Sequence, residues 1–197
     1  MKEILYDWGG FNIWLFHAIN NVHGELLDQL MLLGTSLGSH SNFPVYLGLT
    51  ALAAAIAVGQ NERHNAAPAQ RWLMVMAVFS IAYLMDGWLL GWLKPLLDFP
   101  RPPLALLPGS VHIVGTAEFH HSLPSGHSSF AMLVAASLWP ALCRSTKLAA
   151  ALFVLWVGIS RISLGAHFPA DVLAGFLSSL LVVLLVRTII YRLSRTE

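Results

Sequence analysis

Long apolar runs separated by short polar connections dominate the chain. Four of them, 42–59, 72–93, 126–143 and 168–190, hold almost nothing but Leu, Val, Ala, Ile, Phe, Met, Trp and small residues. A helix crossing a bilayer needs ~20 mostly apolar residues, because the hydrocarbon layer is ~30 Å thick and a helix rises ~1.5 Å per residue. The four runs meet that length. A fifth, 148–164, is apolar except for Ser160, Arg161 and Ser163 near its end. The runs are too long for strands and lack the alternation of a half-buried strand, so each predicts a helix.

The first part of the chain has a different pattern. Residues 11–37 mix Asn20, Asn21, His23, Glu25 and Asp28 with Phe, Trp, Leu and Met. That suits one or two amphipathic helices lying at the membrane interface better than a span. It does not suit a signal peptide, which would show a basic start, a clean apolar run and a small-residue cleavage site. The expected fold is an all-α integral membrane protein with about five transmembrane helices plus the amphipathic N-terminal segment, six helices if that segment is counted. The expected organisation is one domain over 1–197: a lead-in over 1–40, then a bundle over 42–190 with loops at 94–127 and 160–171. No repeat or low-complexity tract interrupts it.

Composition sharpens this picture. The chain has 197 residues, of which 56% are hydrophobic and 11% charged, against ~25% charged in ordinary soluble domains. These values exclude a disordered chain, a disulfide scaffold and a basic nucleic-acid binder. The single cysteine, Cys143, excludes an internal disulfide and a multi-cysteine metal site. A formal net charge of +1 says nothing about partners. Trp8, Trp14, Trp88, Trp92 and Trp139 fall near the expected membrane boundaries and suit interfacial anchors.

Orientation follows from Lys and Arg. If the spans alternate, one face holds 60–71, 143–147 and the C-terminal tail, with Arg63, Arg71, Arg144, Lys147, Arg187, Arg192 and Arg195. The other holds Lys94, Arg101 and Arg161, and Lys2 if the N-terminus lies there. The first face is therefore expected to be cytoplasmic. The second gathers the unusual chemistry. Residues 94–125 run for 32 residues with six prolines and no apolar span, and loops of that length in compact chains are often functional.

Three segments meet at that face. They are Lys94 to Pro102, Pro124 to His127, and Ser160 to Asp171. They supply three cations (Lys94, Arg101 and Arg161), two histidines, the Asp171 carboxylate and a helix start. Three fixed cations can neutralise a phosphate dianion and its transition state. Arg presents planar bidentate donors that match phosphate oxygens. Ser125 and Gly126 open a helix, whose free N–H groups and positive dipole end favour an anion; Gly126 lets that backbone come close. His167 and Asp171 are four residues apart and can touch on a first helical turn. A carboxylate on one ring nitrogen leaves the other as a nucleophile, and His127 is then available as general acid. Such a site calls for no metal and no other cofactor.

The pattern K-x6-RP, PSGH and SR-x5-H-x3-D resembles the three-part signature of the type 2 phosphatidic acid phosphatase superfamily. All three parts occur in order and spacing: Lys94, Arg101, Pro102; Pro124, Ser125, Gly126, His127; Ser160, Arg161, His167, Asp171. PSGH alone would be weak; the three together are specific. The likeness covers about 90–175. It implies His167 as a nucleophile forming a phosphohistidine, His127 as acid and then base, Asp171 as orienter, and Lys94, Arg101, Ser125, Gly126 and Arg161 as phosphate ligands. It also implies a lipid-linked phosphate substrate, reached from the outer face of a bacterial cytoplasmic membrane by a multi-pass protein. The short chain and the helical lead-in most resemble undecaprenyl-diphosphate phosphatases. Lipid A and phosphatidylglycerophosphate phosphatases carry the same motifs and remain alternatives, as does a non-catalytic anion-binding or transport protein. Nothing in the sequence points to nucleic acid or fixes an oligomeric state.

Blander readings stand beside these. A lone Lys94 would be a snorkelling anchor. Ser125 could merely cap its helix. His120, His121 and Glu118 suit a loop near headgroups, and adjacent histidines point apart, against a metal centre. Asp98 could pair with Arg101. Asp86 lies deep in a span, where an ionisable group is costly; the bland account is a buried hydrogen bond between helices, with no partner identifiable from sequence.

Overall fold

The structure, a computed structural model, describes residues 6–60 and 67–194. Lys2, Arg63 and Arg195 lie outside them, as do residues 61–66 of the connection 60–71. All regular structure among the described residues is helical. Two N-terminal helices, α1 (Phe11–Asn20) and α2 (Glu25–Leu37), precede α3 (Phe43–Gln60), α4 (Ala67–Leu97), α5 (Gly126–Leu138), α6 (Arg144–Ser163) and α7 (Pro169–Leu193).

Among the described residues, the segments built on α3, α4, α6 and α7 are long and apolar enough to cross a membrane. The run at 126–143 behaves differently from the expected span. Helix α5 ends at Leu138 and a tight turn, Trp139–Ala141, follows. Pro140 inside that turn cannot continue the hydrogen-bond ladder. At ~1.5 Å per residue α5 is roughly 20 Å long, short of a ~30 Å hydrocarbon layer. Its neighbours compensate, since α4, α6 and α7 all pack against it and most of its residues from Ser128 to Ser137 are buried. Val78, Phe79 and Ala82 of α4, Phe130, Leu133 and Val134 of α5, and Val182, Val183 and Val186 of α7 form its main core. Outward positions such as Leu49, Leu52, Ile56, Trp88, Trp92 and Leu181 stay exposed, as a lipid-facing surface requires.

Helix α4 is the converse case. Its 31 residues reach roughly 46 Å at ~1.5 Å per residue. It therefore outruns the apolar layer and carries Lys94 on its last turns. The C-terminal ends of α4 and α6 and the N-terminal ends of α5 and α7 meet at one end of the bundle. Gly175 makes this possible for the last pair: a Cβ there would lie 2.5 Å from the Ser125 carbonyl oxygen. A larger residue would push Asp171 away from the start of α5.

The N-terminal helices are more than a lead-in. Their buried polar residues cap other elements. Asn20 Nδ2 donates to the carbonyls of His112 (2.8 Å) and Ser163 (2.9 Å), and its Oδ1 accepts from the His112 N–H (2.9 Å). Asn12 Oδ1 accepts from the Ala170 N–H at 2.9 Å. Helix α2 packs closely on α6, where a Cβ on Gly38 would meet Val157 at 2.5 Å.

Candidate active site

His167 sits in the turn between α6 and α7. Its N–H bonds to the Arg161 carbonyl at 3.1 Å, and its side chain is almost wholly buried. Ring Nδ1 lies 3.4 Å from Ser122 Oγ and 3.5 Å from Asp171 Oδ2. The second distance is long for a direct hydrogen bond. Ser122 closes the gap: its hydroxyl donates to Asp171 Oδ2 at 2.6 Å and is free to accept the Nδ1 proton. The i, i+4 pair therefore meets mainly through a serine. Asp171 also accepts the Phe168 N–H (2.8 Å) and the Tyr6 hydroxyl (2.7 Å). Three donors thus fix the carboxylate, and it fixes the ring.

The other ring nitrogen, Nε2, faces Arg101, whose Nη1 approaches to 3.2 Å. An N–H donor there assigns the lone pair to Nε2. Burial lowers the His167 pKa to about 3; hydrogen bonding and charge from Asp171 oppose the shift, while Arg101 and Arg161 add to it. The imidazole is thus neutral at ordinary pH. Burial first, and then the Asp171 charge, raises the Tyr6 hydroxyl above its usual range, so Tyr6 remains a donor.

The cations converge on the same end. Arg101 stands just ahead of a short helical turn, Pro102–Ala105. Its Nε donates to the His120 carbonyl (2.9 Å) and its Nη1 to the Ala166 carbonyl (3.3 Å). Nη2 pairs with Glu118. Asp98, considered above as the partner of Arg101, instead faces His121 (3.1 Å) and His120 (3.5 Å). The positive φ of Asp98 turns the chain there, and Glu118, from the far side of the loop, takes the arginine. Arg161 Nη1 donates to Thr35 Oγ1. Its Nε is buried with no partner among the described residues, the kind of orphaned donor an anion would satisfy. A cavity of about 240 Å³ is lined by Thr35, Arg101, Glu118, His127, Arg161 and Ala166 among others.

Ser125 and Gly126 begin α5. Ser125 is the N-cap residue, but its side chain makes no capping bond. It is buried, its N–H bonds to the Asp171 carbonyl (2.9 Å), and its Oγ accepts from Ser128 (3.0 Å). Lys94 Nζ lies 3.9 Å from where a Gly126 Cβ would stand. All eight residues singled out from sequence thus gather around the joined helix ends. Among the described residues, no group of three His, Cys, Asp or Glu side chains could hold a metal ion.

Asp86 acquires partners that sequence did not reveal. It is fully buried. Ser129 Oγ donates to it at 2.8 Å and Ser179 Oγ at 2.7 Å, joining α4, α5 and α7. His40 Nε2 lies 3.4 Å from its Oδ2. Thr35, His40, Ser122 and Tyr6 are the site-region residues that sequence reasoning missed. Ser122, two residues before the PSGH motif, carried the only local hint.

Comparison with known proteins agrees with this geometry. A family model described as the PAP2 superfamily matches residues 72–195. Phosphatidylglycerophosphatase B of Bacillus subtilis is 34% identical over 125 residues, which are 58% of this chain and 56% of that protein. The chain thus spans little more than half the length of that curated relative. The crystal structure of LpxE from Aquifex aeolicus superposes with a TM-score of 0.72 at 26% identity, over 89% of this chain and 94% of that one. A transmembrane PAP2-type phosphatidylglycerolphosphate phosphatase from Bacillus subtilis gives 0.65 at 25% identity, over 96% and 89%.

Proposed function

The chain belongs to the PAP2 superfamily, and from that premise we propose that it is a membrane lipid phosphatase working through a phosphohistidine on His167. The carrying observation is the state of the His167 ring. Its Nδ1 is backed by Ser122 and Asp171, and its Nε2 lone pair is turned toward Arg101. Lys94, Arg101, Arg161 and the N-terminal turn of α5 hold the phosphate oxygens. Nε2 attacks phosphorus, forming a P–N bond as the P–O bond to the leaving group breaks. The bound phosphate dianion keeps His127 protonated, and as imidazolium it gives that proton to the leaving oxygen and becomes neutral. In the second step His127 takes a proton from water, the water oxygen attacks phosphorus, and the P–N bond breaks to release inorganic phosphate.

A lipid substrate is supported by the position of the site at helix ends of a membrane protein. A second cavity, about 490 Å³, is lined by Tyr6, Ile13, Phe99, Pro100, Leu106 and Phe168 among others. It adjoins Arg101 through Pro100 and His167 through Phe168, and its largely apolar wall suits an acyl or prenyl chain. Burying such a chain contributes about 25 cal/mol per Å². Within this class we assign undecaprenyl diphosphate as the first substrate, on the helical N-terminal segment that packs against the site-bearing helices. Phosphatidylglycerophosphate is the second reading, favoured by the names of the Bacillus subtilis relatives.

Phosphate release in detergent tests the class and the substrate together. The panel is undecaprenyl diphosphate, phosphatidylglycerophosphate, lipid A and phosphatidic acid, each with and without EDTA. Release from several of them is expected, fastest from undecaprenyl diphosphate. Turnover should survive EDTA and be inhibited by vanadate, which mimics a five-coordinate phosphoryl group. Activity lost to EDTA and restored by Mg²⁺ or Zn²⁺ overturns the metal-free mechanism. Preference for another lipid overturns only the carrier-lipid assignment.

We further propose, on the Lys and Arg count of the connections, that the site faces outward from a bacterial cytoplasmic membrane. Native Cys143, exposed between α5 and α6, then lies inside. In intact cells an impermeant maleimide should leave Cys143 unlabelled. It should label a cysteine at exposed Thr116 in a Cys143-free background. The reverse pattern overturns the orientation.

A further inference from the structure

We propose that His40 is an additional phosphate-binding residue of this site, and that buried Asp86 is the residue that positions it. The proposal rests on the phosphatase reading above and extends its anion pocket by a second histidine–carboxylate pair. His40 opens a short turn, His40–Asn42, just before α3. Its ring is wedged between aromatic neighbours, 5.0 Å from Phe130 and 6.1 Å from Tyr83 between centroids. Tyr83 also donates its hydroxyl to the His40 carbonyl at 3.4 Å. Behind the ring, Nε2 faces Asp86 Oδ2 at 3.4 Å. Asp86 is itself held by Ser129 and Ser179, so the carboxylate cannot follow the ring if it moves.

The opposite edge of the ring faces the start of α5. His40 Cε1 lies 3.7 Å and Nδ1 3.9 Å from the position of a Gly126 Cβ, the same distance from that point as Lys94 Nζ. Two nitrogen groups from different parts of the chain therefore flank one glycine at a helix N-terminus, where free N–H groups and the dipole already favour an anion. The side chain of His40 is 30% exposed, whereas Asp86 is fully buried. One ring nitrogen is committed to the carboxylate and the other lies beside Gly126 at the start of α5. As imidazolium, Nδ1 donates its N–H to a phosphate oxygen; as neutral ring it accepts the hydroxyl of a singly protonated phosphate. Both give the same contact, and no proton needs to move in the reaction.

A purely structural account would have the His40–Asp86 pair only tie α4 to the turn before α3. The two serines already tie Asp86 to α5 and α7, and that account leaves the Nδ1 edge at Gly126 without a purpose. The two accounts part experimentally. Full-length wild type, His40→Ala, His40→Gln and Asp86→Asn are purified in detergent. Binding of inorganic phosphate and of tungstate is measured by calorimetry, alongside KM, kcat and thermal unfolding. His40→Ala is expected to weaken phosphate and tungstate binding about tenfold, the scale of one charge-assisted hydrogen bond. KM should rise in parallel and kcat change little. Asp86→Asn should move binding in the same direction by a smaller factor. Unchanged anion binding in His40→Ala overturns the proposal, even if the midpoint of unfolding falls. Should His40→Ala not fold, His40→Gln keeps most of the packing and is judged by the same criterion. Wild type that binds phosphate but releases none from any lipid defeats the phosphatase reading, while calorimetry still decides the role of His40.

Discussion

Replacing His167 by alanine is expected to abolish turnover, with kcat falling on the order of 10⁴–10⁶-fold as for other covalent nucleophiles. It should also abolish any acid-labile phosphoenzyme. The reason is geometric. Nε2 is the ring atom turned to Arg101 at 3.2 Å, and no other imidazole is backed by both a serine and a carboxylate among the described contacts. Trapping with labelled substrate and a quench in alkaline detergent, followed by alkaline gel analysis, checks it. Phosphohistidine still forming in the variant would falsify the assignment. The pH dependence follows from the same ring. Its pKa is held near 3 by burial, against ~6.5 for a free histidine. The unfolded chain therefore binds a proton between those values that the folded chain refuses. This ring's contribution to stability is fully present above pH ~6.5 and is lost as pH falls toward 3. Since nucleophile protonation lies so low, acid inactivation above pH 4 should track other groups, and a His167 variant that folds should lose less stability between pH 7 and 5 than wild type.

Replacing His127 by asparagine should lower kcat by roughly 10²–10⁴-fold, the usual contribution of a positioned acid or base. Phosphate affinity should change far less. His127 stands on the first turn of α5 and lines the cavity with Arg101 and Arg161, so it faces the anion without being its main source of charge. The loss should depend on the leaving group. An alkoxide, as from phosphatidylglycerophosphate, needs the proton badly; a lipid monophosphate leaving from a diphosphate needs it less. Single-turnover rates on both substrates separate the steps. A substrate-independent loss, or a large rise in the phosphate dissociation constant, would show that His127 acts as a ligand and not as the acid.

The site was largely readable before the fold because its residues fall in three short strings of fixed spacing. Lys94 and Arg101 are joined by a bend, Gly126 and His127 by a helix start, and His167 and Asp171 by one helical turn. Local geometry carries each string, so spacing reports it. Residues held by distant contacts left no such trace. Tyr6 reaches Asp171 across 165 positions and Thr35 reaches Arg161 across 126, and nothing in a single sequence marks either pairing. Asp98 beside Arg101 looked like its partner because it is near in sequence, yet the chain reverses at Asp98 and gives the arginine to Glu118.

The class of protein was legible without the fold, since apolar runs of this length satisfy their backbone in a bilayer as helices. The sequence also marked the residues that the fold then gathers at one end of the bundle, because their motifs are local. The tertiary structure alone decided how the helices share the work. Helix α5 is short because Pro140 ends it, and it survives because three neighbours enclose it, which no hydropathy profile reports. Asp86 has a role only because α5, α7 and the turn at His40 bring two hydroxyls and an imidazole to one buried point. Burial pairs such a group with whatever packs beside it, and packing is a property of the whole bundle, not of any one segment.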